Sequence, residues 1–140
     1  MTFTLSNRSK TRRAGVDPRL IEISDWAITL TVVDFGHPQY AGWRTDAEQF
    51  ALYSAGKSEC DGINDLSFHQ KGMALDFYAY VDGKASWEPH HLAMVNVAFL
   101  QAASMLGHKL EAGILWSGKE IINGVRYGWD CAHIELVEPP

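Results

Sequence analysis

Ser67-Phe68-His69-Gln70-Lys71-Gly72-Met73-Ala74-Leu75-Asp76, running on into Phe77-Tyr78-Ala79-Tyr80, is the stretch from which the fold of this chain is read. Met73 to Tyr80 alternates and is rich in aromatics, which predicts a strand with Ala74, Asp76 and Tyr78 on one face and Met73, Leu75 and Phe77 on the other. Gly72 lets the chain leave a turn at His69 and enter that strand by a tight approach, so that Asp76 points back toward the imidazole. A carboxylate on a core-facing strand needs a partner, and a metal ion is the strongest one available.

A second stretch, Trp129-Asp130-Cys131-Ala132-His133-Ile134-Glu135, supplies the remainder. His133 to Val137 reads as the last strand, with His133 and Glu135 on one face and Ile134 and Leu136 on the other. Asp130 and His133 would face opposite ways on a regular strand, so a bend at Cys131-Ala132 is needed to bring both into one cleft. Catalytic zinc is normally held by three protein ligands, with water in the fourth position and a nearby carboxylate to move protons. His69, Asp76 and His133 fill the three ligand positions around one Zn2+ ion, and Asp130 is the spare acid. Glu135 is placed to accept a hydrogen bond from a metal-bound imidazole.

Outward from these strands the chain is mainly helical. Asp17-Pro18 reads as an N-cap followed by proline at the first helical position, with Leu20, Ile21, Ile23, Ala27 and Ile28 as the buried stripe. Thr45-Asp46-Ala47-Glu48 is a capping box opening a short helix that stops near Gly56. Residues 57 to 68 read as a long loop bordering the site. Ser86 to Leu106, capped by Ser86 and closed by Gly107, carries the apolar run Leu92 to Leu100 and should be the central helix. The class is therefore α+β, a small antiparallel sheet packed with helices, in a single domain spanning 1–140.

With 140 residues, 46% of them hydrophobic, the chain is large enough for a real core and too small for a second module. Its formal net charge of −5 argues against a nucleic-acid partner. The local basic group Arg8, Lys10, Arg12 and Arg13 reads as a solvated surface segment. Cys60 and Cys131 do not form a C-x-x-C pair, so no disulfide framework is indicated, and synthesis in a reducing cytoplasm is the simpler reading. The chain opens with no signal peptide and holds no run long enough for membrane insertion.

Three tempting features are set aside. Adjacent residues on a helix diverge by about 100°, so His90-His91 reads as a pair of surface histidines. Cys131 reads as packing. Trp43, Phe68, Trp116, Tyr127 and Trp129 read as core and cleft wall. Whether His37 reaches the cleft is left open.

Together these residues resemble the zinc D-alanyl-D-alanine and L-alanyl-D-glutamate peptidases, whose fold is shared with the hedgehog signalling domain, and most of all the small single-domain phage endolysins. Ser67, His69 and Asp76 match the family's S-x-H-x-x-x-x-x-x-D signature, and Asp130 and His133 its D/E-x-x-H signature. Gly42-Trp43-Arg44-Thr45 with Gln49 is similar to its G-[FLY]-R-T-x-x-x-Q segment, and the opening from Phe3 to Leu20 resembles the endolysin N-terminus. The resemblance implies that Asp130 is the catalytic acid–base. It gives Arg44 a catalytic and substrate-holding role, and places Ser67 beside it on the substrate side. It implies a peptidoglycan stem peptide as substrate, cut most plausibly at L-Ala-D-Glu. Synthesis would be in the host cytoplasm, with release to the wall by a separate pore-forming protein. Asp130 stands where the dipeptidase branch carries Glu, which favours the endolysin-like branch. The alternatives are a D-Ala-D-Ala carboxypeptidase and, outside enzymes, a hedgehog-like binding module that keeps zinc for structure.

Overall fold

Proline 18 starts the first long helix because its fixed φ suits a position whose N–H would be unpaired anyway, and the Asp17 carboxylate accepts the Arg19 N–H beside it. In the computed structural model, which describes residues 2–118 and 121–139, a short helix α1 (Asn7–Thr11) precedes this helix, α2 (Pro18–Leu30). The strand β1 (Asp34–Gly36) follows, then helix α3 (Asp46–Ser54), whose start is the Thr45–Glu48 capping box expected from the sequence. A 3-10 turn, Phe68–Lys71, leads into β2 (Ala74–Asp76), β3 (Tyr78–Val81) and β4 (Lys84–Ser86). Helix α4 (Pro89–Leu106) comes next and ends on Gly107 in the left-handed conformation. The chain finishes with β5 (Leu110–Ala112), the hairpin β6 (Ile121–Ile122) and β7 (Val125–Arg126), and β8 (His133–Leu136).

The architecture is α+β, but among the described residues the expected single sheet is two three-stranded sheets and the separate two-stranded hairpin β6-β7. One antiparallel sheet has the order β1-β3-β4, the other β2-β8-β5. The predicted strand from Met73 to Tyr80 is broken at Phe77, because the backbone changes partners there. Asp76 N–H bonds to the Ala41 carbonyl and Phe77 N–H to the Ala132 carbonyl, while the Phe77 ring turns inward to stack on Phe99 at 4.8 Å. Burying that ring at the seam links the sheets through one core, in which α2 packs on α4 and Phe35, Phe77 and Phe99 meet.

Two further expectations are corrected. The central helix begins at Pro89, not Ser86; Ser86 ends β4, and its hydroxyl accepts the Glu88 N–H just ahead of the helix. The N-terminal basic group is not simply solvated. Arg13 is buried and paired with Asp25 at 2.7 Å, and Arg12 donates to the His37 carbonyl at 3.1 Å. Among the described residues no helix is long and apolar enough to cross a membrane.

Candidate active site

The sheet β2-β8-β5 sets the site. In its antiparallel register Asp76 on β2 lies directly opposite His133 on β8, so their side chains rise together from one face. Glu135, two residues beyond His133, rises from the same face. His69 arrives from the 3-10 turn, whose N-cap is Ser67: the Ser67 hydroxyl accepts the His69 N–H at 3.2 Å. Gly72 closes that turn at φ 70°, and a side chain there would strike the Gly15 carbonyl 2.8 Å from its Cβ.

His69 Nε2, His133 Nδ1 and one Asp76 carboxylate oxygen form a triangle. Its edges are 3.3 Å between the imidazoles, 3.2 Å from His69 to Asp76 and 3.0 Å from His133 to Asp76. Tetrahedral ligands about 2.0–2.1 Å from an ion stand about 3.3 Å apart, so this trio is already spaced as three corners of a zinc coordination sphere. Two imidazoles and one carboxylate also suit zinc better than calcium or magnesium, which take oxygen donors.

The backs of both rings are fixed. His69 Nδ1 lies 2.9 Å from the Gly42 carbonyl, and His133 Nε2 lies 2.7 Å from Glu135, the partner expected from the sequence. With the ring proton held at each of those nitrogens, the other nitrogen would be free to offer its lone pair to an ion at the shared centre. The remaining Asp76 oxygen accepts from Arg44 Nη2 at 3.0 Å. Arg44 in turn donates to the Tyr40 carbonyl and to Gln49, and buried Gln49 reaches on to Ser58 and the Cys60 carbonyl. A continuous chain of hydrogen bonds thus runs from the carboxylate of the trio to the 57–66 loop.

Asp130 enters from the other side. Cys131 and Ala132 form a turn, the bend anticipated from the sequence. Asn96, the polar residue in the apolar run of α4, holds that turn by donating to the Cys131 carbonyl at 2.8 Å. The Asp130 carboxylate comes to 3.8 Å from His133 Nδ1 without joining the triangle. Burial and the charge of Asp76 raise its pKa above the ordinary aspartate range. Burial also opposes charge on Asp76, but the His69 and His133 imidazoles outweigh it and hold that carboxyl well below the usual range. For His133, burial is outweighed by hydrogen bonds to Asp76 and Glu135, and its pKa is pushed up to about 10. The pocket favours positive charge at its centre, which is what a divalent ion supplies.

Two cavities meet at this centre, of about 710 and 610 Å³, and Glu59, Asp76, Trp129 and Asp130 border both. Arg44, Ser67, His69 and His133 line the smaller one. His37 does not reach either: it is fully buried behind β2, with Nδ1 at 2.6 Å from the Asp76 carbonyl and Nε2 at 2.8 Å from the Ser24 hydroxyl. Cys131 packs against the core with its thiol toward the Gly128 carbonyl.

His90 and His91 do not diverge as expected. Their rings lie 4.3 Å apart, and with Glu88 they could reach one ion. This cluster is far more exposed, however, Ser86 already sits 2.7 Å from His91 Nδ1, and among the described residues no hydrogen bond fixes the back of the His90 ring. Asn96 was not singled out from the sequence, and Gln49 was matched to a motif without a role. Each is a polar residue at a buried helical position, and that was the available signal.

Residues 1–137 match the family model described as phage L-alanyl-D-glutamate peptidase. The chain is 33% identical over 143 residues to the L-alanyl-D-glutamate peptidase of Escherichia phage T5, an alignment covering 98% of this chain and all of that protein. Among solved structures it is similar to the Serratia marcescens L-Ala D-Glu endopeptidase ChiX, with a TM-score of 0.74 and 28% identity over 96% of this chain and 90% of that one. With a match of this extent, the chain is a peptidase and belongs to the phage L-alanyl-D-glutamate peptidase family.

Proposed function

We propose that this protein is a zinc-dependent endopeptidase that hydrolyses the L-Ala-D-Glu bond of peptidoglycan stem peptides and serves a phage as its endolysin. The observation that carries this reading is the His69–Asp76–His133 triangle with Asp130 held 3.8 Å away and outside it. Zinc held by the three ligands would acidify the attacking water and polarise the scissile carbonyl. Asp130 takes the proton from that water and returns it to the leaving amine, a role that suits a carboxylate whose proton affinity is raised. Arg44 anchors Asp76 and offers its remaining N–H donors to a substrate carbonyl or carboxylate. Ser67 borders the substrate while its hydroxyl caps the turn that carries His69.

The cleft continues on both sides of the trio, since the two cavities share Asp76 and Asp130. That favours an endopeptidase, with chain on either side of the bond, over a D-Ala-D-Ala carboxypeptidase, which needs only a blind end. Asp130 has no ligand role, which counts against a non-catalytic zinc module. In this reading the protein is made in the host cytoplasm. No described helix can cross a membrane, so a separate pore-forming protein opens the way to the wall.

Mass spectrometry of purified peptidoglycan after digestion tests the assignment. The expected products keep L-Ala on the sugar and carry a new amino group on D-Glu. Free D-Ala with intact L-Ala-D-Glu bonds would replace this reading with the carboxypeptidase, and zinc binding without hydrolysis would replace it with the binding module.

A further inference from the structure

The two cavities that meet at Asp130 differ in chemistry. The 610 Å³ cavity carries Arg44 and Lys57. The 710 Å³ cavity has no Lys or Arg among its described lining residues; Trp87 and Tyr127 wall it with Pro89, Leu92 and Ile122, and it shares Trp129 with the smaller cavity, which also carries Phe68 and Trp116. Trp87 and Trp129 are 54% and 57% exposed, so core packing does not explain them. Both are nevertheless steadied: Trp87 lies 5.9 Å from the Tyr78 ring, and Trp129 lies 5.0 Å from Trp116, which itself packs on His133 and donates to Glu111. Ordered, exposed aromatic faces beside a catalytic centre are built to receive a flat, partly apolar ligand surface.

The substrate of the proposed reaction is equally two-sided. On the amine-terminal side of the L-Ala-D-Glu bond there is one alanine and then the lactyl-bearing, N-acetylated sugar, with no ionised group. On the other side D-Glu presents a free carboxylate next to the bond, followed by a charged diamino acid. We infer that the Trp87–Tyr127–Trp129 cavity is a saccharide subsite that takes the muramyl end of the stem, while the Lys57 and Arg44 cavity takes the D-Glu carboxylate. This inference rests on the proposed L-Ala-D-Glu specificity for its direction. Charge sets the direction: reversal would place the carboxylate in the cavity without a Lys or Arg among its described lining residues and leave Arg44 and Lys57 facing the uncharged sugar.

The experiment compares a disaccharide-tetrapeptide with the same tetrapeptide lacking sugar. Its readouts are kcat/KM on the zinc-loaded enzyme and calorimetric binding to the zinc-loaded Asp130→Asn variant. The sugar-bearing substrate should be favoured by roughly tenfold or more, the scale on which one filled apolar subsite discriminates. Trp87→Ala, and independently Tyr127→Ala, should remove that preference while leaving the sugar-free peptide nearly unchanged; Lys57→Ala should weaken both substrates alike. Equal handling of the two substrates by the unmodified enzyme, or equal losses on both in Trp87→Ala and Tyr127→Ala, overturns the saccharide subsite. Absence of L-Ala-D-Glu cleavage defeats the proposed function instead, and the binding preference of the Asp130→Asn variant then still decides whether the subsite exists.

Discussion

Arg44 grips the Asp76 oxygen that faces away from the two imidazoles, at 3.0 Å, and is itself held by Gln49 at 2.9 Å. The guanidinium fork reaches a carboxylate and an amide at once, and three of its N–H groups are already directed at protein acceptors. A lysine ammonium provides a point charge without that fixed geometry. Arg44→Lys should therefore loosen the metal ligand as well as slow turnover. Losing a partner that orients a ligand typically lowers metal affinity about 10- to 100-fold. Chelator competition checks this, and unchanged zinc affinity would show that Arg44 acts on substrate alone.

The ligand assignment predicts the outcome of three single substitutions. His69→Ala, Asp76→Ala and His133→Ala each remove one corner of the triangle, and each should abolish stoichiometric zinc in atomic absorption of the purified protein. A variant that still holds one equivalent strikes its residue from the ligand set. The Glu88–His90–His91 group supplies a control: His90→Ala should leave the zinc content of the catalytic site unchanged.

Asp130→Asn separates chemistry from binding. The amide is nearly isosteric, and the turn that positions it is held through the Cys131 carbonyl rather than through its own side chain. Zinc content and thermal stability should stay near those of the parent while turnover falls about 100- to 10,000-fold. Near-parental turnover in the zinc-loaded variant would remove Asp130 from the acid–base role.

How much of this was legible beforehand follows from the length scale of each signal. The trio and Asp130 could be read because their residue types are chemically specific, and Asp17-Pro18 and the Thr45 box because caps are local. The split at Phe77 could not, since alternation runs straight through Tyr80 and only the long-range choice of Ala132 as partner reveals it. Strands β1, β4 and β5 are three residues each, too short to show a period, and exist because their neighbours pair with them. The second role of Arg44 was hidden for the same reason: its link to Asp76 spans 32 positions.

His37 gives a prediction about stability rather than catalysis. Its imidazole is fully buried, donates to the Asp76 carbonyl and accepts from Ser24, and burial lowers its pKa to about 4 from 6.5. The unfolded chain therefore binds a proton at this residue between about pH 6.5 and 4 while the native state does not, so stability falls as pH drops through that window. A shift of this size corresponds to roughly 3 kcal/mol, fully present above pH 6.5 and lost by about pH 4. His37→Asn keeps a donor for the Asp76 carbonyl and cannot titrate. Urea unfolding of the parent should lose stability between pH 7 and pH 5 by clearly more than His37→Asn does, and parallel losses in the two proteins would show that His37 is not the group responsible.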